Sequence, residues 1–231
     1  MRFFDRWRYE ARRAGRATLL APWLVTALLA AGATLAARTA GNGAIPRTLL
    51  SAVEMAIPLV VGVSAASLVG RDPAVELQLA MPAGYRGTLL RRWAVTVAAS
   101  ALLAAGLCGG LMASGWWARW PRTHGVLLGQ LTWAAPVCWL AGLGLLAGAV
   151  LRGPAAAATV VTAPWLLEQL LPDQLQAHQW SRLLYLFATT GGRDADWGPN
   201  RFVLLASSVP LAAGAWLLLG QTQRLLGGET G

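Results

Sequence analysis

Residues 127–150 read LLGQLTWAAPVCWLAGLGLLAGAV, 24 residues without one charged side chain. As an α-helix this stretch is about 36 Å long, which exceeds the roughly 30 Å hydrocarbon core of a bilayer. Five further stretches meet the same length requirement: 17–37, 48–70, 93–114, 155–171 and 202–220. The pattern predicts an all-α integral membrane protein with six transmembrane helices and a single transmembrane domain spanning residues 1–231. The segment 155–171 is the shortest and carries both Pro164 and Glu168. Backbone groups freed by such a proline need partners from neighbouring helices, so this span is expected inside the bundle or broken.

Composition excludes the alternatives. Of 231 residues, 56% are hydrophobic and 13% charged, against roughly 25% charged in an ordinary soluble domain. A soluble chain of this length has no core large enough to hide that much apolar surface, and a disordered chain is apolar-poor. All 19 basic residues are Arg, with no Lys. A phosphate-binding loop and a Schiff-base enzyme both need a lysine, so neither resides in this chain. The formal charge of +9 fits cytoplasmic membrane-flanking segments and contact with anionic lipid; no nucleic-acid partner is expected. The cysteines, Cys108 and Cys138, lie in apolar runs and are too few for a disulfide framework or a zinc site. The Arg-, Ala- and Gly-rich, Lys-free usage suggests a GC-rich bacterial source, hence a bacterial plasma membrane.

Six spans divide the rest of the chain into two nearly equal sets. Segments 1–16, 71–92, 151–154 and 221–231 total 53 residues with 12 Arg; segments 38–47, 115–126 and 172–201 total 52 residues with 7 Arg. Arginine excess marks the inner side, which places both termini in the cytoplasm. Spans two to six follow the first, which is longer than a signal-peptide core, so it is read as a retained helix. Before it, Phe3, Phe4, Trp7, Ala11 and Ala14 share one helical face while Arg2, Arg6, Arg12, Arg13 and Arg16 share the other. That segregation predicts an interfacial amphipathic helix over 1–16, the alternative being a plain basic anchor. The outer segment 172–201 is half apolar in its first part. A helix over 174–187 is expected there, with Trp180, Leu184 and Phe187 at i, i+4 and i+7 facing apolar surroundings.

The most informative loop is Arg71-Asp72-Pro73-Ala74-Val75-Glu76-Leu77-Gln78-Leu79-Ala80-Met81-Pro82. Asp72 suits an N-cap and Pro73 the first helical position, while Pro82 and Gly84 stop the helix. A short capped helix over 72–81, bearing Val75, Leu77, Leu79 and Met81, fits a groove on a cytoplasmic partner; the alternative is packing on the membrane surface.

This order of parts resembles the permease subunit of ABC-2-type exporters. The shared features are an amphipathic N-terminal helix, two spans, a short acidic-to-apolar cytoplasmic helix, then four spans with a substantial outer segment before the last. In that family the loop reads as an acidic residue followed by spaced leucines, a proline and a basic segment. Arg71, Asp72, Glu76, Leu77, Leu79, Pro82, Arg86, Arg91 and Arg92 stand in those places, although the usual Gly-Thr before the leucines is missing. The resemblance implies that Asp72, Val75, Glu76, Leu77 and Leu79 dock on a cytosolic ATPase. Two copies of that ATPase would bind ATP and Mg and act with two permease chains, identical or homologous, and this chain would hold no cofactor. It also implies that the second and fifth spans line the path.

Glu54 lies about 10 Å into the second span and Glu168 near the outer end of the fifth. Either they contact a polar or cationic substrate, or Glu54 pairs with a neighbouring Ser, Thr or Arg and Glu168 is interfacial. Pro58, four residues after Glu54, is expected to kink the second span. Enzyme readings lack support: there is no His-Glu-x-x-His, and His124 and His178 lie outside the spans, away from the Ser64 that imitates a nucleophile. The competing class is a six-span substrate-binding component of another transport complex, which has no need of a capped helix at 72–81.

Overall fold

The computed structural model describes residues 12, 15–41, 43–70, 85–120, 124–151 and 153–220. The predicted helices at 1–16 and 72–81 therefore lie almost wholly or wholly outside the described residues, as do Asp72, Val75, Glu76, Leu77 and Leu79. What is described is helical. The elements are α1 (Arg16–Ala40), α2 (Ala44–Ser51), a π turn (Ala52–Ala56), α3 (Ile57–Gly70), α4 (Tyr85–Ala113), a 3-10 turn (Trp117–Arg119), α5 (Val126–Gly129), α6 (Leu131–Leu151), α7 (Pro154–Leu170), α8 (Pro172–Ala177), α9 (Gln179–Leu183) and α10 (Asp194–Leu218).

Five helical stretches are long and apolar enough to cross a bilayer: Thr18–Thr39, Ile45–Val69, Arg86–Ala113, Val126–Leu151 and Asp194–Leu218. The expected fifth span forms α7, whose 17 residues rise about 25 Å and fall short of that standard. Gly153 and Pro154 start it abruptly: proline at the first helical position forfeits no hydrogen bond there. Two spans begin earlier than hydropathy suggests. α4 starts at Tyr85, which puts Arg86, Arg91 and Arg92 on a helix rather than in a loop. α10 starts at Asp194 and takes in Arg201, which hydropathy alone assigns to the outer segment. The reason is the same in both: a helix carries its own backbone hydrogen bonds beyond the apolar core, and long arginine side chains find partners nearby. Arg86, for example, stands 5.4 Å from the Trp216 ring centre.

α6 is the spine of the bundle, packed between α3 and α10. Its contact with α3 is backbone to backbone. A Cβ on Gly144 would collide with the Gly62 carbonyl oxygen, and one on Gly148 would come within 2.8 Å of the Ala66 carbonyl oxygen. Gly142, on the other side, faces the Ser208 carbonyl oxygen of α10, where a Cβ would stand 3.2 Å away. Gly144-x-x-x-Gly148 is thus a small-residue seam, which lets two helices approach where no hydrophobic effect drives them together in lipid. α7 closes the other side of α3, with Val161 against Gly62. It is neither broken at Pro164 nor enclosed, contrary to the expectation for 155–171: the helix is continuous and buries only Ala157, Val161 and Glu168, because its many small and apolar side chains can face lipid.

Two clusters mark the ends of the bundle. At one end Leu68, Val69, Leu89, Leu145, Ala215 and Leu219 pack together. At the other, Leu50, Val53, Cys108, Leu111 and Trp117 do so. The second span is not a continuous α-helix between them. Pro58 lacks an amide and crowds the carbonyl four residues earlier, and the chain answers by widening to a π turn over Ala52–Ala56, where the Ile57 amide reaches back to the Ala52 carbonyl. The expected kink at Pro58 is therefore a π turn, and it carries Glu54.

The seam gives a stability prediction. Gly144→Ala should lower the unfolding free energy in detergent by about 1–3 kcal/mol through overpacking against backbone that has no room to move. Gly32→Ala on α1, where an added Cβ meets nothing within 4 Å, should be neutral or slightly stabilising. Equal thermal shifts for the two variants would contradict the seam.

Candidate functional site

Past Leu171 the chain neither crosses nor leaves the bundle. α8 begins at Pro172, and His178, with φ −103° and ψ 140°, separates it from α9. From Leu184 to Gly191 the backbone forms turns. The helix expected over 174–187 is thus two short helices followed by a non-helical stretch. Trp180 is 81% exposed and Leu184 is exposed as well; of the three expected apolar positions only Phe187 is buried. Tyr185, Leu186, Phe187, Ala188 and Thr189 all enter the bundle. Phe187 sits edge-on to Trp165 of α7 and to Tyr185, with ring centres 5.9 Å apart in both pairs.

Buried backbone outside a helix needs partners, and here they are side chains of the second span, of α7 and of α10, joined by Trp120. Glu54 of the π turn accepts the Thr189 amide at 2.7 Å on one oxygen and the Thr190 amide at 2.8 Å on the other. Glu168 of α7 accepts the Leu186 amide at 2.7 Å. From α10, Arg201 Nη1 donates to the Leu186 carbonyl oxygen at 3.0 Å. Asn200 Nδ2 donates to the Arg182 and Tyr185 carbonyl oxygens, each at 2.8 Å. Trp120 donates its indole N–H to the Thr189 carbonyl oxygen at 3.1 Å.

The charges close on one another. Arg201 Nη2 forms an ion pair with Glu54 Oε1, and both side chains are fully buried. The same nitrogen donates to Thr189 Oγ1 at 2.9 Å, and Trp197 Nε1 donates to that hydroxyl at 2.9 Å. Thr189 in turn donates to Thr132 Oγ1 of α6 at 3.4 Å. Trp197 stacks on His124, ring centres 3.9 Å apart, and Arg201 stands 5.8 Å from the Trp197 ring centre. A carboxylate and a guanidinium withdrawn from water are tolerated only when paired and hydrogen-bonded, and both conditions hold.

Glu54 and Glu168, read from the sequence as candidates to line a path, are thus brought to one place, beneath the segment 185–190. Both carboxylates point at its backbone, and Glu54 follows the structural alternative, pairing with an arginine. Sequence reasoning missed Arg201, Asn200, Trp197 and Thr189. A signal existed: Trp197, Arg201 and Leu204, all buried, stand at i, i+4 and i+7, but only if the last helix is started at Asp194. Three more tryptophans turn their indole N–H groups inward. Trp93 donates to the Ala141 carbonyl, Trp117 to that of His124, and Trp165 to that of Met55 in the loosened π turn.

Fold and site together define a helical membrane protein with a polar, ion-paired anchor for one non-helical segment. No family model, curated protein or solved structure matches this chain.

The anchor predicts strong non-additivity. Glu54→Gln alone and Arg201→Gln alone should each cost about 3–5 kcal/mol of stability, because either leaves a buried charge without its partner. The double variant should lose clearly less than the sum, a coupling readable by a thermal-unfolding cycle in detergent. Additive losses would mean that the two side chains do not depend on each other.

Proposed function

We propose that this chain is the membrane-spanning permease subunit of an ATP-driven exporter of the ABC-2 type, working as a pair with two cytosolic ATPases that supply ATP and Mg binding. α7 completes a set of six spans: it runs antiparallel to α6, from Pro154 near the Val69 end of the bundle to Glu168 near Glu54. At 17 residues it is short for a crossing; it is held to the bundle along one face, through the buried Ala157, Val161 and Glu168.

The observation that carries this reading is where the chain leaves the bundle. Val69, Leu89 and Leu219 pack in one cluster, so the segment after Gly70, the segment before Tyr85 and the end of α10 issue from one face. Arg86, Arg91 and Arg92 stand at that face, and arginine excess assigns it to the cytoplasm together with both termini. The helix that the sequence predicts over 72–81 would then be offered to a cytosolic partner, with Asp72 as its expected cap and Val75, Glu76, Leu77 and Leu79 as its expected docking residues. At the opposite end, the anchored segment 184–191 corresponds to the outer segment that the resemblance expects between the last two spans. Glu54 and Glu168 serve the path by holding that segment across its outer end, not by binding cargo.

Leu77→Asp should abolish co-purification with the ATPase and transport while leaving membrane insertion intact, since an acidic group forced into an apolar groove is heavily desolvated. Asp72→Ala should be milder, a cap being worth about 1 kcal/mol. Full ATPase binding by Leu77→Asp would sink the docking assignment and favour a substrate-binding component of another transport complex.

A further inference from the structure

A groove of about 310 Å³ opens on the outward face of α4 where it meets α2. Leu49, Gly106, Gly110, Leu111, Ser114 and Trp116 line it. Gly106 and Gly110 create the hollow: an added Cβ at either meets nothing within 4 Å, and Leu102, one turn deeper, is exposed. From Gly106 to Ser114 the groove runs about 12 Å along the helix, most of the roughly 15 Å depth of one leaflet's hydrocarbon.

Cationic side chains stand beside the Trp116 end of the groove, outside its lining. Leu111 and Trp116 also border a smaller recess lined by Pro46, Leu50, Trp117 and Trp120. Over Trp120 stands the exposed Arg47, its guanidinium carbon 5.7 Å from the ring centre. Arg119 is exposed on the same turn. No residue of α2, α4 or the Trp117–Arg119 turn is acidic. Arg47 lies in the first turn of one span and Arg119 just past the end of another, which puts both at headgroup depth, with the groove beside them running along α4 toward the acyl chains.

We infer that this face binds one anionic phospholipid, with an acyl chain along the Gly106–Gly110 hollow and the phosphate on Arg47. Charge decides against the other apolar occupant, a second copy of the chain: a two-fold contact here would set arginine against arginine with no acidic partner on either side. The inference rests only on the chain being in a membrane and not on any ATPase partner.

The test uses the purified full-length chain in mild detergent, titrated with phosphatidylglycerol and with phosphatidylcholine of identical acyl chains, bound lipid being counted by native mass spectrometry. Phosphatidylglycerol should be retained in preference. Arg47→Ala should cut that preference about fivefold, the equivalent of ~1 kcal/mol for one arginine at an anionic surface. Arg47→Lys should keep most of it. Gly110→Leu, which fills the hollow, should lower retention of both lipids; if that variant does not fold, the Arg47 pair alone decides. No preference in the unaltered chain, or an unchanged preference in Arg47→Ala, overturns the inference. So does a Gly110→Leu variant that keeps its lipid but loses a dimeric mass, an outcome that would assign the face to a second copy.

Discussion

A fully buried ion pair between Glu54 and Arg201 ties the second span to the last, and the outer half of the molecule is organised around it. A lone charge at that depth is costly by roughly 3 kcal/mol on insertion scales, so neither residue is tolerable without the other. Their pairing leaves carboxylate lone pairs and guanidinium N–H groups still to be satisfied. The segment 185–190 supplies most of them, offering amides to Glu54 and carbonyl and hydroxyl oxygens to the two terminal nitrogens of Arg201, while Arg201 Nε is left unmatched. The ion pair and the non-helical segment are therefore mutual conditions. Without the segment the charges are under-solvated, and without the charges the segment exposes bare backbone to an apolar interior.

The π turn belongs to the same solution. Pro58 removes an amide from the second span one turn beyond Glu54. The turn widens over Ala52–Ala56, and a carbonyl in it, that of Met55, receives the Trp165 indole of α7. Glu168 sits one turn further along α7, within reach of the Leu186 amide. The defect imposed by a single proline thus becomes the place where three helices and the outer segment meet. Below it the bundle is simpler, with α3, α6 and α10 held by contacts between small residues that need no polar chemistry.

Much of the architecture was legible in the chain itself. Runs such as 127–150 have no charge to place, so length alone marks them as helices that cross a bilayer. The Arg asymmetry likewise follows from composition. Both signals depend only on the sum of side-chain transfer energies along a local stretch, which one sequence supplies in full. Helix ends were less legible. Arg86 and Arg201 lower local hydropathy, although a helix continues through them at no backbone cost.

Partnership was the part the chain could not spell out. Glu54 and Arg201 are 147 residues apart, and nothing local says that one answers the other. The tertiary fold decided that Glu168 and Glu54 share one segment, that Thr189 is a hydrogen-bond hub, and that 184–190 is not helical. The physical reason is that a backbone amide bonds to whichever acceptor is nearest. For Leu186, Thr189 and Thr190 those acceptors are carboxylates carried by distant helices rather than carbonyls four residues back.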